Sequence, residues 1–172
     1  MTHAHSASHD FEKLEFKLFA SPAFGLVFAA PASWRQVDDA RYLQVIDPES
    51  GAEFTASGYD NNGLFLEQWG TLRNAVVASE MPYLTCVRTS YGIKGVHVSG
   101  IATDYQGRFP ASGQNRHYLV LCLRTETLLI SVTLTTSVED FAAREAFYRW
   151  LLQNKLDIYT VDKISLPPQL KS

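Results

Sequence analysis

The chain has 172 residues, 46% hydrophobic and 19% charged, which excludes disorder over most of its length and allows one sizeable core. Against 18 Asp and Glu stand 15 Lys and Arg, for a formal net charge of −3. Nucleic-acid binding needs a concentrated basic surface to displace phosphate counterions, and the composition offers none.

Met1 to Asp10 is polar and rich in His and Ser, and reads as a disordered tail. It lacks the basic start and apolar run of a secretory signal. The longest apolar stretch, Phe24 to Ala32, is about half of the roughly 20 residues that a membrane-spanning helix requires. The expectation is a cytoplasmic protein with no membrane span. Leu14, Phe16 and Leu18 alternate with Glu15 and Lys17, a period of two that predicts a half-buried strand until Ser21-Pro22. Phe24 to Ala30 predicts a more apolar strand, stopped by Pro31. Arg41 to Asp47 and Ala52 to Tyr59 predict a hairpin, because Asp47-Pro48-Glu49-Ser50-Gly51 carries turn chemistry.

After Asp60-Asn61-Asn62-Gly63 the period becomes helical. Phe65, Trp69, Leu72 and Val76 fall on one stripe of a helix from Leu64 to about Glu80, with Asn61 or Asn62 as N-cap and Pro82 as the stop. Tyr83 to Thr89 and Ile93 to Tyr105 predict strands joined near Tyr91-Gly92, and Gln106 to Asn115 a polar loop. The run Tyr118 to Leu123, a turn at Thr125-Glu126 and Leu128 to Val132 form a tight antiparallel hairpin. Strands apolar at nearly every position are normally covered on both faces. Thr136 with Glu139 fits a capping box. The helix behind it presents Ala143, Phe147, Trp150 and Leu151, ends near Asn154, and precedes a short strand at Leu156 to Val161. Leu166-Pro167-Pro168 opens a tail. The organisation is a tail over residues 1–10, a single α+β domain over 11–165 and a C-terminal tail over 166–172.

Two amphipathic helices and short connections predict a three-layer α/β/α sandwich around a mostly antiparallel sheet. The alternative is a cone-shaped, cystatin-like α+β fold with both helices on one side. The opening Phe24-Gly-Leu-Val-Phe28-Ala-Ala-Pro31-Ala-Ser-Trp34, a strand followed by Pro-x-x-Trp, is similar to the start of the bacterial DcrB group. The order of elements from Phe16 to Tyr159 resembles the fold shared by the photosystem extrinsic protein PsbP, the Ran-binding Mog proteins and DcrB. That resemblance implies a non-enzymatic partner of other proteins, such as an adaptor or a secretion-effector chaperone, with no catalytic residues to carry across. The chain departs from DcrB lipoproteins in having no lipid-attachment cysteine near its start.

Little catalytic chemistry rises above this background. His3, His5 and His9 have metal-binding side chains, but a solvated tail accounts for them. Cys86 with His97 and Asp104, or Cys122 with His117, brings together residue types used for nucleophilic catalysis. Both cysteines lie in apolar strand patterns, unlike reactive thiolates, and read as buried free thiols. Asp60-Asn61-Asn62-Gly63 lacks the spaced acids of a calcium loop and reads as a turn. No catalytic residue, metal site or cofactor is expected.

Arg108, Phe109, Arg116 and His117 flank the polar loop, with Tyr91 and Tyr105 near the same end of the sheet. Arginine and aromatic residues anchor interfaces, so these six form the candidate partner-binding set. The sequence therefore reads as a non-catalytic protein-binding domain: a bacterial adaptor, secretion-associated chaperone or immunity protein. The alternatives are a small-molecule pocket protein or enzyme on a cone-shaped fold, and a homodimer or larger homo-oligomer of structural role.

Overall fold

The structure is a computed structural model and describes residues 10–21, 25–39, 42–94 and 98–158. Its elements are β1 (Phe16–Ser21), β2 (Leu26–Pro31), β3 (Arg35–Asp39), β4 (Tyr42–Ile46), β5 (Glu53–Asp60), α1 (Leu66–Glu80), β6 (Leu84–Lys94), β7 (Ser99–Arg108), β8 (Asn115–Arg124), β9 (Leu128–Ser137), α2 (Val138–Asn154) and β10 (Leu156–Ile158). Seven strands form one antiparallel sheet in the order β3-β4-β5-β9-β8-β7-β6, and β1-β2-β10 form a second.

Strand β8 organises the core. Every residue from His117 to Leu123 is buried. Leu119, Leu121 and Leu123 pack with Ile130, Val132 and Leu134 of β9 against Phe141, Phe147 and Leu151 of α2. Tyr118, Val120 and Cys122 point the other way, to Trp69 and Val77 of α1. Helices therefore cover both faces of the large sheet, and the three-layer sandwich is the observed class. The cone-shaped alternative, with both helices on one side, is not. The small sheet shares the α2 layer, where Phe28 of β2 stacks on Phe54 of β5 with ring centroids 3.8 Å apart. Gly100 of β7 lies close beneath β8, where an added Cβ would sit 2.4 Å from the Cys122 carbonyl oxygen.

The structure corrects several local expectations. Tyr91-Gly92 is inside β6 and not a turn, and the chain reverses between Lys94 and Ser99. Strands β7 and β8 take up both ends of the expected loop, leaving residues 109–114 as the connection. The buried positions of α1 are Trp69, Gly70 and Val77, while Phe65 and Leu72 of the expected stripe are exposed. The helix is rotated to insert Trp69, whose indole N–H donates to the Ile130 carbonyl at 3.1 Å. The N-cap of α1 is Phe65, whose N–H is accepted by Gln68 Oε1 at 2.8 Å. Asn61 serves the preceding turn instead, accepting from Gly63 N–H and donating to the Thr125 carbonyl.

At α2 the cap is Ser137, which accepts from Asp140 N–H at 3.0 Å, because β9 runs on through Thr136. Ala143 is exposed, whereas Phe141, Tyr148 and Leu152 join Phe147 and Leu151 in the core. Trp150 is half-buried against Phe11 and Phe16. Both cysteines are free, and Cys86 is exposed, since edge strand β6 is covered on neither face at that point. His3, His5, His9, His97 and residues 159–172 lie outside the described residues. Among the described residues no helix is long and apolar enough to cross a membrane.

Candidate functional site

Helix α1 lies over β6, β7 and β8, so it covers only part of the sheet face it packs on. The same face of β4, β5 and β9 carries no described element. Alternation along these strands decides what they present there. Glu53, Thr55, Ser57 and Tyr59 of β5 lie opposite Thr135, Thr133, Ser131 and Leu129 of β9, while Phe54 and Ala56 turn into the core. The result is a groove of about 770 Å³ with a hydroxyl-rich floor. One wall is α1, through Trp69, Leu72, Arg73, Val76 and Glu80, and Phe109 and Met81 close one end.

Two contacts hold that wall in place. Trp69 bonds the Ile130 carbonyl, and Arg73 Nε donates to Ser131 Oγ at 3.0 Å. Burial pushes the Tyr118 phenol above its ordinary range, with Arg73 opposing the rise. At the other end Arg124 Nε donates to the Leu64 carbonyl at 2.7 Å, joining the β5–α1 connection to β8. Tyr42, Tyr59 and Leu72, three of the exposed large hydrophobic residues, line this groove, and Phe65 stands at the start of its helical wall.

A second constellation lies on the opposite face, under α2. Asp104 of β7 is buried and accepts from Tyr91 Oη at 2.7 Å and from Arg149 Nη2 at 2.8 Å. His117 places Nε2 at 3.5 Å from Asp104 and Nδ1 at 3.1 Å from Gln106 Nε2, with its ring stacked on Phe141 at 3.5 Å. Burial works to raise the Asp104 pKa, but hydrogen bonds from His117, Tyr91 and Arg149 outweigh it and hold the carboxyl below its usual range. Burial and the Asp104 bond push the Tyr91 phenol up to about 12. His117 and Asp104 line a recess of about 310 Å³ together with Gln106, Phe141 and Arg149. Cys122 is on the other face of β8, and burial pushes its thiol up to about 12. Among the described residues no three His, Cys, Asp or Glu side chains converge for a metal.

The structure distributes the sequence-derived set rather than gathering it. Tyr91 and His117 enter the polar cluster under α2. Tyr105 and Phe109 face the α1 side, where Tyr105 donates to Asn74 Oδ1 and Phe109 packs against Tyr83 and Tyr118. Arg108 is exposed and closes its own loop onto the Gly113 carbonyl, and Arg116 reaches the Gly51 carbonyl at 3.4 Å. Only Phe109 lines the groove. The groove residues missed from sequence are Tyr42, Tyr59, Leu72 and the acids Glu53, Asp60 and Glu80. Their signal was the alternation of Thr and Ser with apolar residues in β5 and β9, which marks one wet face.

No family model matches this sequence, and no curated protein sequence does either. Among solved structures, the cyanobacterial PsbP (CyanoP) of Synechocystis sp. PCC 6803 superposes with a TM-score of 0.65 at 11% identity. The alignment covers 84% of this chain and 92% of that one. The chain has the PsbP/Mog1-like fold. The Saccharomyces cerevisiae Ran-binding protein Mog1p superposes with a TM-score of 0.55 at 8% identity, over 85% of this chain and 96% of that one. Protein PA94 of Pseudomonas aeruginosa does so with a TM-score of 0.51 at 17% identity, over 90% and 99%. At these identities the likeness establishes the fold alone.

Proposed function

We propose that the chain is a non-catalytic protein-binding domain that docks its partner in the groove between α1 and the β4–β5–β9 side of the sheet. The observation that carries this reading is the gathering of exposed Tyr42, Tyr59 and Leu72 in one recess of about 770 Å³. Scattered apolar side chains on a surface need no account, but grouped ones mark association sites. The reading is supported by the Ran-binding protein Mog1p, which has the same fold. Within this reading the chain acts in the bacterial cytoplasm as an adaptor, a secretion-associated chaperone or an immunity protein.

The test is photo-crosslinking in the native host, with benzoylphenylalanine at Tyr59 or Leu72 and, as control, at exposed Val87 of β6. Adducts to one distinct polypeptide from Tyr59 and Leu72, absent from Val87, are expected. Adducts from Val87 alone, or no polypeptide adduct, would overturn the docking face. Adducts to a second copy of the chain would replace the adaptor reading with a homo-oligomer.

A further inference from the structure

The polypeptide that fits this groove has a definite chemistry. Glu53, Asp60 and Glu80 stand along it, and among the described residues none of the three is in an ion pair. Arg73 lies there too, but its guanidinium is turned down onto Ser131. The groove thus offers carboxylates at its margins, apolar surface on the Leu72 and Tyr59 side, and hydroxyl groups on the floor. Strands β4, β5 and β9 span two strand spacings, about 10 Å, which is the diameter of one helix or the width of a single segment with its side chains.

From this geometry we infer that the groove recognises one segment of a partner polypeptide bearing Lys or Arg interleaved with aromatic or aliphatic residues. The inference rests on the docking reading above and adds to it the charge and the size of what docks. Basic side chains reach Glu53, Asp60 and Glu80 along the margins, and apolar ones lie against Leu72 and Tyr59. Complementary charge of this kind supplies specificity and a salt-dependent association rate, while the apolar contacts supply most of the affinity.

The experiment pans a random dodecapeptide phage library on the full chain and measures the selected peptides by fluorescence anisotropy. Two variants are compared: Glu53→Gln/Asp60→Asn/Glu80→Gln, which neutralises the margins, and Tyr59→Ser/Leu72→Ser, which removes apolar surface. Thermal melts confirm that both variants fold. Peptides rich in Lys or Arg with aromatic or aliphatic residues are expected. They should weaken about tenfold with the first variant or with a rise from 50 to 500 mM salt, and more with the second. Neutral or acidic peptides that lose binding with Tyr59→Ser/Leu72→Ser but not with the neutralised margins would overturn this inference and leave the docking reading standing. Peptides indifferent to both variants, or an empty selection, would overturn the two together.

Discussion

The indole N–H of Trp69 donates to the main-chain carbonyl of Ile130 at 3.1 Å, and this bond fixes where α1 crosses the sheet. Trp69 is buried, so a substitution that removes the donor leaves a buried acceptor unsatisfied. We expect Trp69→Phe to lose about 1–3 kcal/mol of stability in urea unfolding, from the orphaned carbonyl and the smaller ring. An unchanged midpoint would show that the bond does not hold the helix.

Acid should destabilise the fold through Asp104. Burial raises its pKa, but its bonds to His117, Tyr91 and Arg149 leave the folded-state value below the unfolded one. A carboxyl depressed in this way stabilises the fold above its unfolded pKa of about 4 and loses that contribution as pH falls through the folded value. Asp47 is also depressed: burial raises it, and Ser50, the Glu49 backbone N–H and Arg144 outweigh that rise. Melting temperature is therefore expected to be level near neutrality and to fall below about pH 4. At pH 7 Asp104→Asn leaves Arg149 without its closest carboxylate and should cost about 3 kcal/mol. A variant as stable as the parent at pH 7, with the same acid limb, would contradict this role.

The two thiols should be distinguishable by reactivity. Cys86 is exposed on β6, whereas Cys122 is buried under α1 with its pKa pushed up by burial to about 12. The thiolate is the reacting species, so native protein should consume one equivalent of an aromatic disulfide reagent within minutes and the second only after unfolding. Rapid reaction of both thiols in native buffer would mean that α1 does not stay on the sheet.

Strand β8 shows why the layers were legible in sequence. An apolar residue at every position from Tyr118 to Leu123 has one physical explanation, cover on both faces, and both helices are where that demands. The hairpin of β4 and β5 was equally plain, because Pro48, Ser50 and Gly51 leave the chain little but a turn. The rotation of α1 was not legible. Phe65, Trp69, Leu72 and Val76 make a regular stripe, yet the contact made by Trp69 outweighed it and left Leu72 in solvent. Nor could spacing show that Tyr91 and His117 meet under α2 while Tyr105 faces the opposite way. That follows from register across β6, β7 and β8, including two bulges in β6 that the local sequence does not mark. The groove escaped for a related reason: it exists because α1 is narrower than the sheet, a property of the assembled layers.

Docking in the groove is tested most directly by an amide chemical-shift map of the labelled chain titrated with a selected basic, apolar peptide. Saturable shifts confined to residues 53–59 of β5, 69–80 of α1 and 129–135 of β9 are expected, with the amides of Val87, Asp104 and Glu145 unmoved. Shifts centred on β6 and α2, with the groove silent, would contradict it.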